Sequence, residues 1–175
     1  MNNRTKQMTY AALLTAIAII IPVQFSFLRV YLPPFSATLA AHVPMFIAMF
    51  ISPFVAIVVG VGSTMGFVFA GVDIAIVARA ATHILVGFIG AKIIQKNKSY
   101  VKAAVITAPI HGLAEALVVI PFVGFDIYKI LVVILIGTVL HHTVDSIISL
   151  AIVKALAKAK RKSIYDTFLE VKEVA

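Results

Sequence analysis

The chain has 175 residues, of which 62% are hydrophobic and only 13% charged, and its mean hydropathy is +1.08. A water-soluble domain of this length carries roughly a quarter of its residues as charges, so lipid must supply part of the solvent, and the length leaves no room for an ATPase module beside one compact all-α membrane domain. The absence of cysteine excludes disulfides, a thiol nucleophile and cysteine metal sites.

Proline, glycine and charge positions divide the sequence into six predicted transmembrane helices: Met8–Gln24, Ala37–Ile51, Phe54–Gly71, Ile74–Ile94, Val101–Phe122 and Tyr128–Val153. Crossing hydrocarbon takes about 20 apolar residues at ~1.5 Å each. The second segment falls short, so it is expected to tilt little or to begin inside the preceding loop. Pro53 suits the first turn of the third helix, where its missing N–H costs nothing. No cleavage site follows Pro22, so the first apolar run is expected to stay as a helix rather than leave as a signal.

Lysine and arginine set the expected orientation. With both termini cytoplasmic, twelve basic residues fall inside (Arg4, Lys6, Lys92, Lys96, Lys98, Lys102, Lys154, Lys158, Lys160, Arg161, Lys162, Lys172) and two, Arg29 and Lys129, outside. The formal net charge of +8 is then a consequence of topology and not a nucleic-acid signal. Residues 1–162 are expected to form the membrane domain and 163–175 a cytoplasmic tail. The run Lys154–Lys162 reads first as a stop-transfer and headgroup anchor.

The longest outer connection, Phe25–Ser36, reads FSFLRVYLPPFS, and its Pro33–Pro34 pair resists helix. Its aromatic residues fit either an interfacial belt or a lid over an outward pocket. Small residues four apart let helices approach closely in lipid. Ala12 and Ala16 form such a pair, with Ala11 and Ala18 expected to widen the same face. Gly62 and Gly66 form another, expected to pack inside the bundle, and Gly87 with Ala91 a third.

Polar residues within the spans are costly in hydrocarbon and carry the most functional information. They are His42, Arg79, His83, His111, Glu115, His141, His142 and Asp145. Counting from the outer ends places His42, Arg79 and Glu115 shallowest, His83 and His111 below them, and His141, His142 and Asp145 deeper still. Arg79 with His83, and His111 with Glu115, share helix faces. The outer group is expected either to tie two helices together through Arg79–Glu115 or to floor a pocket for a small solute. His141 and Asp145 offer two metal ligands but no evident third, so no metal is expected. Neither HExxH nor GxSxG occurs, so no catalytic residue and no enzyme activity is expected.

The start RTKQMTYAALLTAIAI, the Ala12/Ala16 pair and the proline-containing outer loop resemble the S components of bacterial energy-coupling factor (ECF) importers. The stretch SATLAAHVPMFIAMFISP, with Arg79 and His83, is similar to the niacin or hydroxymethylpyrimidine subgroup. That resemblance implies a six-helix substrate-capture subunit in the cell membrane, taking a small N-heterocyclic vitamin or precursor from outside. It implies docking through Ala12 and Ala16 on a transmembrane coupling protein with two ATPase subunits. ATP would be used by those partners, and no cofactor held by this chain. Candidate substrate-binding residues are Arg79, His83, Glu115, His42, Phe35 and Tyr31. A proton-coupled secondary transporter and an intramembrane enzyme using His141–Asp145 stand as alternatives.

Overall fold

The computed structural model describes residues 3–33 and 35–168, with the side chains of Asn3 and Val133 left out. The described chain is helical apart from one hairpin. Helix α1 (Asn3–Gln24) leads through a short 3-10 turn (Ser26–Leu28) into strands β1 (Arg29–Leu32) and β2 (Phe35–Thr38). Then come α2 (Val43–Met49), α3 (Pro53–Phe69), α4 (Ile74–Asn97) and α5 (Tyr100–Val123). A π-helical stretch (Tyr128–Ile136) runs on into α6 (Gly137–Lys160). Among the described residues, four helical segments are long and apolar enough to cross a membrane: Arg4–Gln24, Ile74–Asn97, Tyr100–Val123 and Tyr128–Lys160. Helix α3 is apolar but, at 17 residues, shorter.

Local chemistry fixes the helix starts. The Ser52 hydroxyl accepts from Val55 N–H at 3.2 Å and Pro53 opens α3, as its sequence position foretells. Asp73 caps α4 by accepting from Ala75 N–H at 2.8 Å, and Ser99 caps α5 through Lys102 N–H. Gly71, in the α3–α4 turn, has φ of +63°, a backbone that glycine adopts at no steric cost.

The second predicted span is not one helix. Of Ala37–Ile51, only Val43–Met49 is α-helical, and those seven residues are all buried. At ~1.5 Å per residue they cover about 10 Å, a third of a hydrocarbon core. The segment instead descends as the end of β2, turns at Leu39–His42, and finishes as α2 before the Ser52 corner. The loop expected from Phe25 to Ser36 is likewise mostly ordered: β1 and β2 pair antiparallel, Arg29 opposite Thr38 and Leu32 opposite Phe35. β2 is buried throughout while β1 is largely exposed. Pro34, half of the proline pair, lies outside the described residues.

The apolar core is concentrated at the end of the bundle opposite the hairpin, where α2 packs among α1, α3, α4 and α6. Phe50 stacks on Tyr100 at 5.1 Å, and Gln7 donates to Ser52 Oγ at 2.7 Å. Residues 163–168 fold back onto this end: Phe168 is buried against Tyr10 and Phe50, and Tyr165 Oη accepts from Tyr100 N–H. The predicted tail therefore begins packed, and 169–175 lie outside the described residues. Around the outside, Leu13, Ile17, Leu117, Leu140 and Ile147 are among many exposed apolar side chains, the inverse of a water-facing surface.

A candidate polar binding site

At the hairpin end, helices α4 and α5 bring together the charges the sequence singles out. Arg79 donates from Nε at 2.9 Å and from Nη2 at 2.7 Å, both to Glu115 Oε2. Both side chains are buried. Thr138 of α6 also donates to that oxygen, and Arg79 Nη2 reaches Ser36 O in β2 at 3.5 Å. The guanidinium lies over the Phe35 ring, 5.1 Å from its centroid, a cation–π contact. Glu115 Oε1 faces His111 Nε2 at 3.3 Å. One carboxylate thus gathers α4, α5 and α6, while Phe35 and Ser36 bring β2 to the same place. A cation and an anion are already held in position at this end of the bundle.

The broken second segment supplies the rest. Ala40 has φ of +68°, which a residue with a Cβ rarely adopts. Asp145 of α6 holds the turn, accepting Ala40 N–H at 2.8 Å and His42 N–H at 3.0 Å. His141 Nε2 lies 3.0 Å from Thr38 O and 3.1 Å from Asp145 Oδ2. Irregular backbone at membrane depth survives only where such partners satisfy it, and it commonly marks a solute site. Asp145 and His141 are therefore structural supports of the turn, and through it of the pocket.

All five histidines fall into one cluster. The His42 ring centroid lies 4.4 Å from that of His141, 4.6 Å from His83 and 4.9 Å from His111. His83 Nδ1 pairs with Ser63 Oγ at 2.8 Å. His111 Nδ1 pairs with His142 Nδ1 at 3.1 Å, and His142 Nε2 meets Ala104 O and Thr107 Oγ1, each at 3.2 Å. The separation into shallower and deeper groups, expected from counting residues, does not hold. The reasons are local. The turn before α2 drops His42 into the bundle, and a π-helix winds more residues into each turn, so counting at the α-helical rise puts His141 and Asp145 too deep.

The polar side chains line a small, nearly filled cavity of about 10 Å³ bounded by Ser36, His42, Arg79, His83, Glu115 and His141, room for about one water in this closed arrangement. Four of the six candidate substrate residues, Arg79, His83, Glu115 and His42, thus share one cavity, and Phe35 lies directly against Arg79. Tyr31 does not join them. It lines an outer hollow of about 240 Å³ with Pro33, Asp73, Phe122 and Lys129, which shares Ile76 with the polar cavity. Ser36 and Thr138, which complete the Arg79–Glu115 site, carry no signal separable from ordinary serine and threonine in membrane helices. Ala12 and Ala16 lie far from this cavity in the chain's order and are exposed on α1.

The chain is 32% identical over 178 aligned residues to the niacin transporter NiaX of Lactococcus lactis subsp. cremoris, covering 93% of this chain and 80% of that protein. No family model matches the chain, and no solved structure does. With a transporter as relative and helices able to span a bilayer, this is a multi-pass protein of the cell membrane. Similarity over nearly the whole chain decides the family, and the chain belongs to the niacin-transporter group of vitamin-transporter S components.

Proposed function

We propose that this chain captures niacin, or a closely similar small N-heterocycle such as hydroxymethylpyrimidine, from outside the cell and passes it inward as the S component of an ECF-type importer. In this reading the second segment completes a six-span topology, both termini are cytoplasmic, and the hairpin end faces out. The basic bias of the opposite loops supports that orientation. The motor would be a transmembrane coupling protein with two ATPase subunits, and this chain would not hydrolyse ATP.

The observation that carries the solute reading is the buried Arg79–Glu115 pair at the cavity, in a relative of a niacin transporter. Niacin is a pyridine carboxylic acid. Its carboxylate would replace Glu115 on the guanidinium fork, with His83 and His42 beside the ring. An aminopyrimidine would use Glu115 as acceptor instead. Titration calorimetry on the detergent-purified chain separates the two. Arg79→Gln is expected to weaken nicotinate by about 2–5 kcal/mol, and Glu115→Gln to cost an aminopyrimidine more. Thermal unfolding run in parallel checks for a stranded charge. A folded Arg79→Gln variant with parental nicotinate affinity would overturn the reading. So would steady ATP-independent uptake by proteoliposomes holding this chain alone, the mark of a proton-coupled transporter.

The β1–β2 hairpin is proposed as the cover of the site. β2 supplies Phe35 and Ser36 to the Arg79 environment, while β1 is exposed. Closing it excludes water and strengthens the polar contacts beneath. Spin labels at Val30 and Val123 are expected to approach on adding nicotinate. Unchanged distances at saturation would leave the hairpin an interfacial belt.

A further inference from the structure

We infer that His42, His83 and His111 form a binding site for one borderline transition-metal dication such as Zn²⁺ or Co²⁺. One nitrogen from each ring lies within 4.8 Å of the others, and all three residues are buried. A four-coordinate ion at ~2.0–2.1 Å from each nitrogen holds its ligands ~3.4 Å apart, so the rings close by roughly an ångström on loading.

The surroundings match what such a site requires. Imidazole ligands are oriented by partners on their other ring nitrogen. Here Ser63 Oγ holds His83 Nδ1 at 2.8 Å and His142 holds His111 Nδ1 at 3.1 Å, which leaves the Nε2 atoms of both rings to ligate. Asp145 Oδ2 lies 3.0 Å from His42 Nδ1, close enough to pair with it, though no hydrogen bond is formed there. His111 Nε2 is fully enclosed, makes no well-formed hydrogen bond, and faces Glu115 Oε1 at 3.3 Å. A buried nitrogen left so is costly unless something else fills its place. The charge balance also suits a dication, since Asp145 and Glu115 outnumber Arg79 among the charged groups at the cluster. Three neutral imidazoles would leave a fourth position open.

A second trio, His42 with His141 and Asp145, also has ligand atoms within 4.8 Å, and supplies the third ligand that the His141–Asp145 spacing lacks in sequence. It is the weaker choice. Asp145 already holds Ala40 N–H and His42 N–H, and His141 Nε2 sits on Thr38 O. Ligating a metal with them would take support from the turn before α2.

The test uses Co²⁺ alone on the detergent-purified, chelator-stripped full chain, without a polyhistidine tag. One Co²⁺ per chain with the strong visible absorption of four-coordinate cobalt is expected. His83→Gln and His111→Gln should each abolish that spectrum, and Ser63→Ala should weaken Co²⁺ by about 10–100-fold. Thermal unfolding of each variant reports on folding, and nicotinate titration of the stripped parent chain reports separately on the solute reading. No stoichiometric cobalt in a stripped chain that still binds nicotinate would overturn the metal site. So would cobalt lost in His141→Gln but kept in His83→Gln and His111→Gln.

Discussion

Helix α1 carries small residues on two faces, and the chain fills one of them while leaving the other bare. Ala11 and Ala18 are buried, and α1 lies against α3 there: a Cβ on Gly66 would come within 2.8 Å of Ile19 Cα and 2.9 Å of Ala18 O. A Cβ on Gly62 would collide with the Thr15 side chain. Ala12 and Ala16 point the other way, exposed beside Leu13, Ile17 and Ile20. Four-residue spacing announces a close approach but does not say to what. Glycines on α3 already meet the first face, whereas within the described chain the second is open to lipid or to another protein.

The buried seam is where substitution should cost most. Gly66→Ala puts its new carbon against backbone on α1, which can relieve the overlap only by moving a whole helix. A loss of about 1–3 kcal/mol is expected from such overpacking, and more for Gly66→Leu. Gly62→Ala meets a side-chain methyl group and should cost less, with Thr15→Ala restoring part of the loss. Denaturant unfolding in mixed micelles gives the ranking. Equal stability of Gly66→Leu and the parent would mean that α1 and α3 do not meet as described.

The contrast also shows how far sequence could reach. Helix geometry puts Ala12 and Ala16 within about 40° of each other, but at ~100° per residue it turns Ala11 and Ala18 well away. The wide face read from all four alanines was therefore two faces. At the polar site, Arg79, Glu115, His83 and His42 were legible because ionisable groups in apolar spans are rare and expensive. The i,i+4 pairing of His141 with Asp145 was legible too. Its task of holding Ala40 and His42 was not, because it depends on a break in the second segment that hydropathy cannot display. Thirteen of the fifteen residues in Ala37–Ile51 are apolar or proline, so helix, strand and buried turn all satisfy the pattern. The hairpin was hidden for a related reason: its burial alternates between whole strands, β2 inside and β1 outside, and not residue by residue.

The bare face gives the smallest effect on stability and the sharpest one on transport. Ala12→Leu and Ala16→Leu add bulk to exposed positions, so folding of the isolated chain should change by no more than about 0.5 kcal/mol. Nicotinate affinity should be kept, because neither residue approaches the cavity. A partner helix that needs a smooth surface is affected differently, since a branched side chain holds the two backbones apart. Uptake by proteoliposomes containing the complete importer should therefore fall strongly, with the coupling protein no longer co-purifying. Adding Ala11→Leu as a contrast sharpens the test, because that residue faces the packed seam and should lower stability first. If Ala16→Leu weakens nicotinate binding as much as it weakens uptake, the face is coupled to the fold of the site and the docking assignment fails. If neither changes, Ala12 and Ala16 face only lipid.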